Sequence, residues 1–237
     1  CYPDPLYLLA RYIESNQIAI HQVAAINTTG SSLMPEYREF IERVFRCKIF
    51  DSFSCEGGAG AFECPTHSLY HASDEYAITE VLDSDGNPSR VGRLVTTNLW
   101  NYATPFIRYD TQDMIELAEE KCPCGRDLLH IKSIYGRISD ILVTPSGQFL
   151  TVNNFTGLFQ NITAIDQFQI IQKSRNEFEV LLKVNNSYNQ STYDQVMAIM
   201  KNIIKEDLIL NIKLTEDIPL TPSGKRRFLI REASISI

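Results

Sequence analysis

The chain has 237 residues, 44% of them hydrophobic, with 22 Lys and Arg against 29 Asp and Glu for a formal net charge of -7. That is enough apolar material for one large domain or two smaller ones, and the acidic balance argues against a nucleic-acid binder, which would show a basic face. No apolar run approaches the roughly 20 residues of a membrane-spanning helix, and the cysteines are spaced irregularly, as reduced thiols rather than a disulfide framework; a soluble, cytoplasmic chain with neither nucleic-acid nor membrane partner is expected.

Apolar residues at helical intervals from Leu6 to Ile13 predict a first helix. The run Val23 to Ile26 then leads into Thr28-Thr29-Gly30, as a buried strand entering a turn does. Pro35 suits the first turn of a second helix, whose buried face is marked by Tyr37, Phe40, Ile41 and Phe45. Lys48 to Phe50 reads as another strand. This strand, turn, helix, strand order is a layered α/β unit, in which ligands generally sit where strands end. From Tyr76 the pattern becomes antiparallel β, with a turn at Asp85-Gly86-Asn87 and strands at Arg93 to Leu99 and Phe106 to Tyr109. After Gly136-Arg137 comes a small α+β module. It comprises a hairpin around Pro145-Ser146-Gly147, a short helix near Asn154 to Phe159, and strands at Phe168 to Lys173 and Phe178 to Val184. A helix from Thr192 to Lys205 and a strand at Leu210 to Thr215 complete it. The fold class expected is thus α/β followed by α+β, divided into residues 1–136 and 137–237.

Cys122-Pro123-Cys124-Gly125 is the sharpest chemical signal, because two thiols flanking one residue on a shaped turn can face one cation. Cys64 with His67 or His71 could complete a closed Cys3His shell, which would make zinc structural; the plainer account is ordinary buried cysteines. A disulfide between Cys122 and Cys124 would close too small a loop, and Cys47 and Cys55 read as small core residues. Thr28-Thr29-Gly30-Ser31-Ser32, between strand and helix, offers backbone N–H groups and hydroxyls to a polar ligand, or simply caps the helix. Asp51-Ser52-Phe53-Ser54 also ends a strand, and Phe53 could stack on a base or belong to the core. In Arg108 to Asp113, Asp113 could accept two hydroxyl protons from a ribose diol or serve a structural salt bridge. Thr221-Pro222-Ser223-Gly224-Lys225 carries a lysine on a glycine loop, suited to meeting a phosphate or to a solvated basic surface.

Taken in order, these pieces resemble the phenylacetate-coenzyme A ligase family and its relatives of capsular-polysaccharide biosynthesis, within the adenylate-forming superfamily. Thr29-Gly30-Ser31-Ser32 resembles the family's adenine loop, and Asp51 to Glu56 its Asp-x-Tyr-Gly-x-x-Glu stretch. Glu63-Cys64 and Tyr70-His71 resemble its Glu-Cys and Leu-His pairs, and Arg108 to Asp113 its Arg-Tyr-x-Thr-Gly-Asp. Cys122 to Arg126 matches Cys-Pro-Cys-Gly-Arg, Gly136-Arg137 with Asp140 resembles Gly-Arg-x-Asp-Asp, and Ser223-Gly224-Lys225 matches the terminal Gly-Lys motif. The resemblance implies that residues 1–136 are the carboxy-terminal part of a large nucleotide-binding domain and 137–237 a mobile lid. It implies a nucleotide site drawing on Gly30, Ser31, Asp51, Phe53, Ser54, Glu56, Asp113 and Arg137, with Lys225 as the catalytic charge stabiliser. It also implies structural zinc on Cys64, His71, Cys122 and Cys124, preferring His71 to His67. Its chemistry would be activation of a small carboxylic acid by ATP, leaving AMP, with magnesium, and transfer to coenzyme A.

Departures from the family pattern carry their own expectations. No Ser/Thr/Gly-rich phosphate loop occurs in these residues, so the segment alone is expected to be inactive and to need the amino-terminal half of the same protein. Ser31 replaces Glu, Phe53-Ser54 replace Tyr-Gly, Gln112 replaces Gly, and Ser139 stands where relatives carry a hinge Asp. These changes leave open a zinc-stabilised, catalytically inactive nucleotide- or protein-binding module, and exposed apolar surface leaves open a homodimer.

Overall fold

The computed structural model describes residues 1–55, 58, 60–155, 162–221 and 227–232. Two compact units divide the chain, Cys1–Gly136 and Arg137–Ile237.

The first unit opens with α1 (Pro3–Ser15), started by a proline whose missing N–H costs nothing in a first turn, and burying Pro3, Leu6, Ala10 and Ile13. β1 (Ala25–Thr29), α2 (Pro35–Phe45) and β2 (Lys48–Ser54) follow. β1 and β2 pair in parallel, Ala25 opposite Lys48 and Thr28 opposite Asp51. Leu6 and Ala10 of α1, Tyr37 and Ile41 of α2, and Ile26 and Ile49 of the strands close one core, in which Tyr7 stacks on Tyr37 at 4.0 Å. β3 (Gly60–Glu63), β4 (Tyr70–Ala72), β5 (Ala77–Leu82), β6 (Val91–Asn98), β7 (Tyr109–Leu117) and β8 (His130–Arg137) complete an eight-stranded sheet in the order β1-β2-β3-β4-β8-β7-β6-β5. The β2/β3, β3/β4, β4/β8, β5/β6 and β6/β7 pairs are antiparallel.

In place of a strand at Phe106 to Tyr109, β7 starts at Tyr109 and runs to Leu117. Arg108 turns the backbone at φ 47°, and Gln112, at φ 60°, sits in a bulge where pairing shifts from Arg93 opposite Met114 to Val95 opposite Asp110. The bulge interrupts the two-residue alternation by which a strand is recognised.

The second unit begins with a 3-10 turn, Ile138–Asp140, and a short hairpin of β9 (Leu142–Val143) and β10 (Phe149–Leu150). After a 3-10 turn at Val152–Asn154 come β11 (Ile165–Gln172), β12 (Glu177–Val184), α3 (Gln190–Ile204), β13 (Ile209–Leu214) and β14 (Leu229–Arg231). The sheet runs β13-β12-β11-β14. α3 is started by Asn189, whose side chain accepts the Thr192 N–H. Its Val196, Met200 and Ile204 join Phe155, Phe178 and Leu182 in a separate core. Of the short helix expected near Asn154 to Phe159, residues 156–159 lie outside the described residues, and Val152–Asn154 form a 3-10 turn. The fold is the α/β and α+β arrangement expected, with β3, β4, β8 and β14 added.

Candidate functional site

Three short stretches of the first unit bring a sulfur-rich cluster together. Cys64 directly follows β3, His71 lies in β4 opposite Phe62, and Cys122 and Cys124 occupy the loop between β7 and β8. Gly125 turns that loop at φ 79°, its N–H bonded to the Cys122 carbonyl at 3.2 Å, so both sulfurs face the same side. The ligand atoms of Cys64, His71, Cys122 and Cys124 all lie within 4.8 Å of one another. Cys122 Sγ is 3.3 Å from Cys64 Sγ, and Cys124 Sγ is 3.4 Å from His71 Nε2. Tetrahedral zinc with bonds of about 2.3 Å to sulfur and about 2.0 Å to nitrogen requires S···S edges of about 3.8 Å and S···N edges of about 3.5 Å. The two shortest contacts lie within about 0.5 Å of those edges, and the widest separations would close by up to about 1 Å, so the residues fit zinc once drawn together by it. Three thiols and an imidazole suit it, and suit magnesium or calcium poorly.

The surroundings favour thiolate. Thr66 Oγ1 donates to Cys64 Sγ at 3.1 Å, and Ser68 Oγ lies 3.6 Å from Cys122 Sγ. Burial works against ionising Cys122, but the Cys124 backbone N–H and the hydrogen bonds of Ser68, Cys64 and Cys124 outweigh it and bring its pKa down to about 5. Cys124 moves the other way. The Arg126 backbone N–H lowers it, but burial, its sulfur neighbours and the charge of Cys122 together raise it. His71 is buried, with Nε2 toward the sulfurs and Nδ1 lacking a hydrogen-bond partner among the described residues. His67 is elsewhere: its Nδ1 is 3.3 Å from Glu63 Oε1 and its ring lies on Phe50.

A second polar constellation lies at the carboxyl ends of β1 and β2. Asp51 Oδ1 accepts from Thr28 Oγ1 at 2.7 Å and Oδ2 from Tyr70 OH at 2.9 Å. Burial pushes the Asp51 carboxyl above its ordinary value despite those bonds, and burial with the Asp51 charge pushes the Tyr70 hydroxyl up. The Asp51 N–H donates to Glu63 at 2.8 Å, and Glu63 takes two bonds of 2.9 Å from Arg38. From sequence, Thr28 stands out only as a ligand contact or helix cap, and Glu63 and Tyr70 only within the Glu63-Cys64 and Tyr70-His71 pairs; Arg38 does not stand out at all. Arg38 looks like any surface arginine of an amphipathic helix, and its partner lies 25 residues away.

The remaining candidates fall at several places. Gly30 turns at φ 84° beneath the Tyr2 ring, where an added Cβ would come within 2.2 Å of a ring carbon. Ser31 is exposed, with Oγ 3.4 Å from Asp4. Phe53 is half-buried against the core of Ala61, Leu94 and Ile115, and Ser54 is exposed at the end of β2. Asp113 is only 5% exposed, on β7, four positions along the sheet from β2. Arg137 is exposed at the end of β8. Glu56 and Lys225 lie outside the described residues.

In fold and in the order of these residues the chain is similar to part of the adenylate-forming ligases. Residues 142–232 match the CapK C-terminal domain family. Over 97% of its length the chain is similar to Protein CapK of Staphylococcus aureus, 24% identical across 234 residues, and over 65% to a phenylacetate-coenzyme A ligase of Thermus thermophilus, 25% identical across 173. It spans about half the length of the former, 51%, and 39% of the latter. A solved 2-hydroxyisobutyryl-CoA ligase, in the postadenylation state in complex with R3-HIB-AMP, matches 98% of this chain with 54% of its own, at TM-score 0.69 and 16% identity. A chain solved in structural and functional studies of fatty acyl-adenylate ligases from E. coli and L. pneumophila matches 95% of it with 50% of its own length, at TM-score 0.69 and 12% identity. At such identities the likeness is one of fold. Among the described residues no helix is long and apolar enough to cross a membrane.

Proposed function

We propose that this chain is the carboxy-terminal part of an ATP-dependent enzyme that converts a carboxylic acid to its acyl-adenylate and passes the acyl group to coenzyme A. The observation that carries the reading is the fold shared with a ligase captured with an acyl-AMP, in a chain whose Gly30, Ser31, Asp51 and Phe53 fall where the parallel β1/β2 pair ends. In the first step the carboxylate oxygen bonds to the α-phosphorus of ATP and pyrophosphate leaves; in the second a thiol takes the acyl carbon and AMP leaves. Both steps build charge on phosphate oxygens, which a lysine such as Lys225 and magnesium would offset. Asp113 would hold the ribose and Arg137 would assist near it. Asp51, with both oxygens engaged by Thr28 and Tyr70, would fix the shape of the loop rather than meet the ligand. Residues 137–237 would act as the lid, and the amino-terminal half that relatives carry would supply the phosphate loop. Zinc on Cys64, His71, Cys122 and Cys124 would be structural, because four protein ligands leave no open position.

The test is pyrophosphate release by the complete gene product against a panel of carboxylic acids. Release with at least one acid supports the reading; none, while ATP still binds, refutes it. A second reading, a zinc-stabilised binding module without catalysis, is favoured by the burial of Asp113 and the packing of Phe53 into the core. Calorimetry with AMP, lost in Asp113→Ala, separates a nucleotide site from a protein-binding module, and AMP binding without pyrophosphate release identifies the inactive nucleotide-binding module.

A further inference from the structure

We infer that the open edge of β13 seats a second copy of this chain, the two β13 strands pairing antiparallel about a two-fold axis at Asn211. The inference concerns the second unit alone and holds whether or not the chain is part of a ligase.

Among the described residues β13 and β14 are the two edges of their sheet. β14 is three residues long, and shortness is one way in which an edge is kept from pairing. β13 has no such guard. Ile209–Leu214 is six residues without proline or bulge, four of them apolar, with Lys213 its one charge. The Ile209 N–H donates to the Asn176 carbonyl at 2.9 Å and the Thr215 N–H to the Leu182 carbonyl at 2.9 Å, so the odd-numbered residues turn their backbone groups to β12. Those of Leu210, Ile212 and Leu214 therefore point to the open edge.

The side chains select the register. Leu208, directly before the strand, packs with Leu210 and Ile212 against the α3 core, and Leu214 shares their face by alternation but is 55% exposed. A two-fold pairing puts the same face of both copies on one side of the sheet, so opposed residues are both even or both odd. With the axis at Asn211, Leu210 meets Ile212 and Leu208 meets Leu214, and the α3 face is apolar throughout. Ile209, 53% exposed, meets Lys213, whose ammonium is held by Glu179 and whose stem lies along the sheet to cover it. Moving the axis by one residue either way sets Leu208 opposite Glu216 or Leu214 opposite Glu206. A knob and a hole also match. An open cavity of about 810 Å³ beside α3, with Met197, Leu208 and Leu210 in its wall, lies where Leu214 of the second copy arrives. Knob and hole sit at opposite ends of one edge, which is the arrangement a self-complementary, isologous contact requires.

Sedimentation equilibrium of the chain from about 1 to 500 µM should show monomer and dimer in exchange, with a dissociation constant in the range of about 1–100 µM that suits so small an interface. Leu214→Asn removes one knob from each copy and should weaken the dimer about hundredfold, tenfold for each leucine. Circular dichroism and the urea midpoint should stay those of the wild type, because Leu214 is exposed in the single chain. Asn211→Cys puts two thiols at the axis, in a pair whose Cα atoms lie about 4.5 Å apart, and mild oxidation should link the copies through position 211. Lys213→Cys leaves its two thiols about 13 Å apart and should not link them. Peptide mass mapping locates the bond and sets aside links through the native cysteines. A chain that stays monomeric throughout, a dimer indifferent to Leu214→Asn, or linking at position 213 as efficient as at 211 overturns the proposal.

Discussion

With zinc on Cys64, His71, Cys122 and Cys124 as proposed, its removal should destabilise the first unit and spare the second. In Cys122→Ser/Cys124→Ser two of four ligands go, and with them the tie between Cys64 and Cys122, 58 positions apart in sequence. A covalent tie closing a loop of that length restrains the unfolded chain by about 4 kcal/mol, and a metal held by two further ligands restrains it at least as much. Unfolding 136 residues carries an entropy of about 0.29 kcal/mol/K, so the midpoint of this unit should drop by about 14 °C. If its stability is near the low end of the ordinary 5–15 kcal/mol, the apo form will not fold at 37 °C. The second unit has its own core around Phe155, Phe178 and Val196 and no part in the cluster. Calorimetric scans before and after a strong chelator should therefore show one transition moving and one standing still, with elemental analysis giving one zinc per untreated chain. Metal retained by the double variant, or scans indifferent to the chelator, would refute the assignment.

Other consequences can be read off single side chains. Asp51→Ala strands the Thr28 and Tyr70 hydroxyls and should cost about 2–4 kcal/mol by urea unfolding, whereas Asp51→Asn, which keeps an acceptor and removes a buried charge, should cost under about 1 kcal/mol; equal losses would mean that the network is not closed as described. Gln112 holds φ 60°, so Gln112→Gly should relieve strain and raise stability by about 0.5 kcal/mol, and a decrease would show that its side chain makes a contact worth more than the strain. Tyr135 donates to Glu116 at 2.5 Å, and burial together with that partner pushes its pKa from 10.0 up to about 12. A raised folded-state pKa means that this contribution is complete below pH 10 and is lost as pH climbs toward 12; Tyr135→Phe should flatten that alkaline limb, and an unaltered limb would count against the bond.

Legibility in the sequence followed locality. The α1, α2 and α3 helices were readable because their buried positions recur within one stretch, and the β9/β10 hairpin because Pro145-Ser146-Gly147 marks its turn. β3, β4 and β8 were not, because they are short or carry polar residues at inward positions: Glu63 binds Arg38, and His71 turns to the sulfurs. Such residues break the apolar alternation that identifies strands. The cysteine pair announced itself because a C-x-C turn is complete within a few residues. The Arg38–Glu63–Asp51 network could not, since it spans a helix and two strands that only the sheet brings together.

That network and the cysteine–histidine cluster meet at the end of β3, and the meeting can be tested. Successive residues of an extended segment point to opposite sides, so Glu63 reaches back to the Asp51 N–H and Arg38 while Cys64, the next residue, faces the other sulfurs. Pulling Cys64 out of place should loosen the Glu63 bonds, and breaking those bonds should free Cys64 to shift. Glu63→Ala leaves the Asp51 N–H and a half-buried guanidinium without their partner, a loss of about 3 kcal/mol. If the two sites share one strand mechanically, Glu63→Ala should also weaken zinc, by about tenfold for each 1.4 kcal/mol of coupling. The same coupling must then appear in reverse, as a smaller destabilisation by Glu63→Ala once the metal has been removed. A double-mutant cycle of Glu63→Ala with Cys64→Ser, read by urea unfolding in the presence of zinc, measures it directly. Strict additivity would mean that β3 transmits nothing, and that the metal supports the sheet without shaping the ends of β1 and β2.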